Sequence, residues 1–361
     1  MKIIVVVLCL FALFSCQSNL SQETKEKIEE KETFWKERTQ TIYKNKNTKE
    51  YPLKKDTSLT EQRTNRIYLR SNNCQFEAFV DDVLLYKKMG ESTKKGGGVS
   101  TNFDINQLLL TSGTHEIKIR MYPKYNEPVF GEGGYVGLTF SYFKNRDLQT
   151  KEYNLNMNGA SGMDLDQSTE QWVDDKGELG NADYVEAHYE PKKPLPLKGL
   201  PIYEWRSTFD AQVNFDKIGW RNSVNLKKEQ DDEKKDIRTE LLKEYQKIHE
   251  IISKKDVTGY LSLIREREEL VMATLHYREN EKELRSNEFV KIIKDNDYEL
   301  EPLFEETFQL EYQGYGKLVM FLNKANGEGI IRLKNKKNPD ENVYLDFRFQ
   351  RKGKGEKLTV I

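Results

Sequence analysis

The chain is poor in the residues from which most enzyme and metal sites are built. Its 361 residues include only three cysteines, Cys9, Cys16 and Cys74. Cys9 and Cys16 belong to the N-terminal apolar run and its immediate end, which leaves Cys74 as the one thiol in the body of the chain. A disulfide framework and a cysteine metal set are therefore excluded by count. The four histidines, His115, His188, His249 and His276, stand apart, with no HxxxH or HExxH pair and no serine nucleophile motif beside them. Neither sign of charge prevails: 58 basic against 59 acidic residues leave a net charge of -1, so no global field collects nucleic acid. The one long apolar run, Ile3–Phe14, falls short of the roughly 20 residues a membrane-spanning helix needs. In Gly90–Gly98, Lys94 and Lys95 precede three glycines, the reverse of a phosphate cradle, and the segment reads as a hairpin loop. No cofactor motif remains.

What is present is a folded composition. Charged residues reach 32%, but aromatics make up 11%, which separates the chain from disordered sequences. The length leaves room for two buried cores.

The N-terminus carries the most specific signal. Met1-Lys2 supplies a positive start, Ile3–Phe14 an apolar stretch of signal-peptide length, and Leu13-Phe14-Ser15-Cys16 resembles the lipobox of bacterial lipoproteins. The resemblance implies a signal peptide over 1–15, lipidation of Cys16 on its thiol, and a chain held by lipid in the bacterial cell envelope. Gln17, rather than aspartate, after the cysteine is compatible with sorting to the outer membrane. Residues 16–64 then read as a charged tether, helical over Gln22–Arg38, where good helix formers carry only a thin apolar stripe.

From Asn65 the pattern changes to short alternating runs broken by turn residues, the mark of antiparallel sheet. Arg66–Arg70, Cys74–Val80, Val83–Lys87, His115–Tyr122 and Tyr135–Phe143 read as strands, with Asp81-Asp82 as a tight hairpin. Lys151–Met157, Tyr184–Tyr189 and Tyr203–Val213 extend the set. Phe79–Val83, Ile105–Leu109 and Ser112–Ile119 look like parts of the accessory jelly-roll sandwiches of secreted bacterial proteins, including the galactose-binding-like class. An all-β sandwich is expected over 65–226, ending in a connecting segment rich in proline and aromatics.

The charge run Lys227–Asp236 marks the expected boundary and the expected protease-sensitive site. Beyond it the apolar period becomes helical: Ile237, Leu241, Leu242, Tyr245, Ile248, Ile251 and Ile252 form one set, Tyr260 to Leu275 a second, and Phe289, Val290, Ile292 and Ile293 a third. Thr307–Tyr312, Leu318–Leu322, Gly329–Leu333 and Val343–Phe349 read as strands, with a hairpin at Asn326-Gly327. Helices followed by an antiparallel meander give an α+β domain over 227–361. Element order and Ser253–Leu263 resemble the NTF2-like fold, which implies a cone of three helices on a curved sheet. The strand pair that such domains place among the early helices is not visible here.

Few constellations carry chemistry. Asp164, Asp166, Ser168 and Glu170 offer oxygens at alternate positions, as a calcium loop does, but Thr169 and Asp175 occupy the places of the glycine and the bidentate glutamate, so a solvated loop is the reading. Cys74 reads as buried and structural. The NTF2-like resemblance implies a cone pocket, in which His249, His276, Glu266, Glu268, Asp346 and Tyr344 are the acid–base candidates. Trp172, Trp205, Trp220, Tyr203 and Tyr189 cluster near Pro191, Pro194, Pro196 and Pro201, where they either cover the join between the halves or anchor a partner. Trp172, Trp205, Trp220 and Tyr203 are the candidate binding residues. The expectation is a non-enzymatic, membrane-anchored lipoprotein that binds protein, in one version an immunity protein against a toxin. The alternatives are a carbohydrate-binding lipoprotein of a glycan-uptake system and an NTF2-like enzyme. No metal or cofactor is expected.

Overall fold

The computed structural model describes residues 62–144, 170–173, 179–180, 199 and 202–361. Cys16, the tether, Tyr189 and the expected strands at 151–157 and 184–189 lie outside the described residues, as does most of the acidic loop at 163–170.

The N-terminal half is built from β1 (Arg63–Asn72), β2 (Gln75–Val80), β3 (Val83–Lys88), β4 (Val99–Asp104), β5 (Gly113–Tyr122), β6 (Tyr135–Lys144), β7 (Glu170–Val173), β8 (Leu179–Gly180) and β9 (Ile202–Ala211), with one helical turn, α1 (Asn106–Leu109). The strands form two antiparallel sheets, β4-β1-β6 and β3-β2-β5-β9-β7-β8. Ile67, Leu69, Val136, Leu138 and Phe140 of the first face Phe76, Ala78, Ile117, Ile119, Met121 and Phe209 of the second across one core. This arrangement is compatible with the expected sandwich. Asp81 and Asp82 take φ of 50° and 60°, both left-handed, as a two-residue hairpin of right-twisted strands demands. Aspartate tolerates that region better than most residues.

The C-terminal half opens with α2 (Leu226–Glu233), α3 (Ile237–Ser253), α4 (Val257–Thr274) and α5 (Glu279–Lys294). The charge run expected to mark a protease-sensitive boundary is largely α2. Asn225 accepts from the Lys228 amide at its start, and Asp236 accepts from the Thr239 amide to start α3, each satisfying a donor that the helix leaves open. Glu229 is buried between Lys235 at 2.5 Å and Arg351 at 3.0 Å.

Seven strands follow: β10 (Tyr298–Leu300), β11 (Phe308–Gln313), β12 (Leu318–Asn323), β13 (Ile331–Asn335), β14 (Val343–Leu345), β15 (Phe349–Gln350) and β16 (Thr359–Val360). They divide into the antiparallel sheets β10-β13-β14 and β11-β12-β15-β16. The run Val343–Phe349, expected as one strand, is split at Asp346-Phe347-Arg348 because β14 pairs with β13 and β15 with β12. Helices and sheets share a core that includes Ile237, Leu241, Tyr245, Ile248, Tyr260, Phe321, Phe347 and Phe349. Tyr245 stands at its centre, its hydroxyl donating to the Phe347 carbonyl at 2.9 Å and accepting from the Phe321 amide at 3.2 Å.

Packing crosses the boundary between the halves. Leu318 and Ile361 complete the N-terminal core, Leu270 of α4 packs against it, and Phe79, Leu84, Met320 and Leu322 form a small cluster of their own between β2–β3 and β12. One face of β11–β12 thus meets the helices and the other meets the outer face of the β2–β3–β5 sheet. No helix of the described residues is long and apolar enough to cross a membrane.

Candidate functional site

Most of the unusual chemistry of the chain lies in the seam between the halves, and it begins at the Asp81-Asp82 hairpin. Asp81 turns inward. Its carboxylate meets His115 Nδ1 at 2.6 Å and accepts from the Glu116 amide at 2.9 Å, while His115 Nε2 lies 3.1 Å from the Thr111 carbonyl. Both ring nitrogens of a histidine only 2% exposed therefore face oxygen acceptors. Asp82 turns the other way. It accepts from Lys118 Nζ at 2.9 Å and from the Tyr315 amide at 2.7 Å, and its carbonyl accepts from the Gly314 amide at 2.9 Å.

The segment that reaches Asp82 is a left-handed run, with φ of 56° at Gly314, 57° at Tyr315 and 85° at Gly316. A Cβ on Gly314 would lie 3.1 Å from Trp220 Nε1, so the turn sits directly on that indole. Nearby, Gln313 Oε1 accepts from the Leu84 amide at 3.1 Å and from Arg348 Nε at 2.9 Å, and Arg348 Nη2 donates to the Leu84 carbonyl at 2.6 Å. These bonds satisfy polar groups that the packing of the halves removes from water, and they fix the register of one sheet on the other.

Near this joint several carboxyls are crowded by protein, Glu77 and Glu311 more than the exposed Glu328 and Asp346. Lys87 Nζ pairs with Glu77 at 2.8 Å, and Tyr122 donates its hydroxyl to the same carboxylate at 2.9 Å. Burial first, and then the Glu77 charge, raise the Tyr122 hydroxyl above the ordinary phenol range. Burial, followed by repulsion from Glu77, also raises Glu311. Glu328 is raised by burial and then by Asp346. Asp346 keeps an exposed surface but is walled by protein, and that lost hydration raises its carboxyl against the opposing pull of Arg348 and Arg267.

The acid–base candidates are not brought together. His276 stands just past the end of α4, at φ 57°, with its Nε2 3.2 Å from the Arg63 carbonyl and its ring against Phe215. Asp346 lies beside Arg267, whose Nη1 donates to its carbonyl at 3.1 Å. Arg267 and His276 are nine positions apart in sequence, about 13 Å at the helical rise. Tyr344 lies under the Arg332 guanidinium, and His249 Nε2 is 3.0 Å from the Glu301 carbonyl. Glu268 is held by Arg267 and Arg285, and Glu266 by Lys352. Among the described residues no group of three or more His, Cys, Asp or Glu side chains is arranged to hold a metal.

The aromatic candidates divide. Tyr203 is 1% exposed and Trp220 6%, and both belong to the N-terminal core, which removes them from any surface a partner reaches. Trp172 pairs with Tyr203 across β7 and β9, and Trp205 of β9 pairs with Ile119 of β5 and Glu170 of β7. Cys74 is buried, its thiol 3.4 Å from the Tyr135 carbonyl and pushed up to about 12 by burial, an inert environment.

Sequence reasoning missed the Asp82–Tyr315 joint and the role of Arg348. The one available signal was Gly314-Tyr315-Gly316 between two strands, a pattern that announces a left-handed turn but not its partner. No protein-family model, no curated protein and no solved structure matches the chain.

Proposed function

We propose that the protein is a non-enzymatic binding module, held at the bacterial envelope by lipid on Cys16, with a protein as its partner. In its specific form the protein is of the immunity type and waits at the membrane for an incoming toxin. The anchor would leave it in the outer membrane. The C-terminal half would be an NTF2-like cone whose interior serves packing rather than chemistry.

One observation carries the reading. His276 and Asp346, the acid and base that a pocket enzyme would need within hydrogen-bond reach of one substrate, are tied to different places, the first to Arg63 and Phe215 and the second beside Arg267. Two halves joined by many specific bonds instead make a firm platform, and firm platforms suit recognition.

The test is capture from native membranes. Wild-type protein should partition into the detergent phase and retain a saturable partner. Partitioning into the aqueous phase would defeat the anchor, and a turned-over small substrate with no bound protein would defeat the binding reading.

A further inference from the structure

We propose that the outer face of the β4-β1-β6 sheet, at the end where Tyr135 stands, is a binding site for an acidic polysaccharide, a second function beyond the binding of protein. Ile67, Leu69, Val136, Leu138 and Phe140 point into the core, so the residues that alternate with them point out. The register then sets Arg66 between Asp104 and Ser141, Tyr68 between Asn102 and Thr139, Arg70 between Ser100 and Gly137, and Asn72 opposite Tyr135.

The composition of this face departs from the rest of the chain. Over 64–72, 99–104 and 135–141 the outward positions hold no lysine, no glutamate and no aliphatic side chain, in a sequence that is 32% charged. A sheet face that meets only water is ordinarily dressed with long charged side chains, and the core of a protein interface is apolar. Tyrosine, arginine, asparagine, serine and threonine instead combine ring faces with hydrogen-bonding groups. A sugar, with an apolar C–H face and a rim of hydroxyls, requires that combination.

The groups are also close together. Tyr135 is 41% exposed and is the diagonal neighbour of Arg70, about 7–8 Å away across the two strands. Tyr68 positions Arg70, whose guanidinium carbon lies 5.7 Å from its ring centroid, and Ser100 fixes the Tyr68 hydroxyl at 2.6 Å. Stacking engages the face of a guanidinium, whereas its five N–H donors lie in its plane. A pyranose on the Tyr135 ring therefore brings its carboxylate and hydroxyls toward Arg70 and Asn72. Charge complements this ligand: the outward positions carry Arg66 and Arg70 against Asp104, and the adjoining segments 88–98 and 123–134 hold four lysines against three glutamates. Asn73 ties those segments together at this end, its Nδ2 donating to the Glu132 carbonyl at 3.4 Å and its Oδ1 lying 2.4 Å from where a Cβ on Gly96 would stand. Gly131, four positions before Tyr135, has no positive φ, and a Cβ there would meet nothing within 4 Å. Neither backbone nor packing demands glycine at that point, and its bare backbone lets a ligand approach closely.

Titration calorimetry on the full chain in detergent tests the site, with short oligomers of galacturonate, mannuronate and hyaluronan, and a cello-oligosaccharide as the uncharged counterpart. At least one acidic oligomer should bind saturably, more tightly than the cello-oligosaccharide and more weakly as salt rises. Tyr135→Ala should weaken that binding about tenfold or more, whereas Tyr135→Phe, which keeps the ring, should retain it. Arg70→Gln should weaken it and flatten its salt dependence. Gly131→Ala should melt as wild type does yet bind less tightly. Phe304→Ala, which removes an aromatic side chain 52% exposed in the C-terminal half, should bind as wild type does. Each variant is first checked for a native circular dichroism spectrum. Failure of every acidic oligomer to bind, equal affinity for the cello-oligosaccharide, or binding that survives both Tyr135→Ala and Arg70→Gln would overturn the proposal. So would a Tyr135→Ala protein that loses the captured membrane partner when no oligomer binds wild type, because the face would then belong to protein. Oligomer binding with no protein captured would defeat the protein-binding reading alone.

Discussion

The buried Asp81–His115 pair gives the sharpest test of how the hairpin is held. The carboxylate is 0% exposed and the imidazole 2%, so neither group has water to fall back on. His115→Leu keeps an apolar side chain of similar bulk but leaves Asp81 with only the Glu116 amide as a donor. Leaving a buried hydrogen-bonding group without its partner costs about 1–3 kcal/mol, more for a charged one. Asp81→Ala should lose a similar amount, with about 1–2 kcal/mol more from placing alanine at a left-handed φ. Asp81→Asn separates these effects, because asparagine tolerates that φ and retains one acceptor. The double variant Asp81→Asn, His115→Leu should be less destabilised than the two singles added together, by about 1–3 kcal/mol. Urea denaturation at constant pH, followed by tryptophan fluorescence and circular dichroism together, measures the four variants against wild type. Additive losses, or a His115→Leu cost below about 1 kcal/mol, would refute the claim that the pair is a coupled unit.

The other predictions follow from single features. Cys16→Ala should release the chain from membranes or stall its processing, because attached acyl chains contribute about 0.8 kcal/mol per buried methylene; detergent phase separation reads the result. Tyr245→Phe should destabilise by about 1–3 kcal/mol, since the Phe347 carbonyl and the Phe321 amide are left without a buried partner; the midpoint shift in urea at constant m-value checks it.

Much of the architecture was legible because its causes are local. Alternation in His115–Tyr122, the paired aspartates at 81–82 and the spacing of Ile237, Leu241, Tyr245 and Ile248 each specify an element without reference to the rest of the fold. What was not legible depends on contacts distant in sequence. The alternation of β5 marks Glu116 and Lys118 as solvent-facing, yet both are buried, because β11–β12 and Tyr315 cover that face. Trp220 and Tyr203, candidates either to cover the join or to anchor a partner, are both buried, the first with the turn at Gly314 laid on its indole and the second within the N-terminal core. The charge run at 227–236 reads as an open boundary because its apolar content is low, whereas the Asn225 cap starts a helix within it and Glu229 is buried there against Arg351. His276 and Asp346 share a pocket in a sequence-level picture of a cone, and only three-dimensional placement separates them.

The central claim is that this chain binds rather than catalyses, and one comparison tests it most directly. Affinity for the captured membrane partner should be measured for wild type, Trp172→Ala, Trp205→Ala, His276→Ala and Asp346→Asn, all checked for folding. The account predicts that at least one tryptophan variant loses about 2 kcal/mol or more of binding, roughly thirtyfold, while His276→Ala and Asp346→Asn bind as wild type does. If His276→Ala or Asp346→Asn abolishes the biological effect in a folded, membrane-bound protein while both tryptophan variants keep it, the binding account is contradicted and a substrate belongs in the C-terminal half.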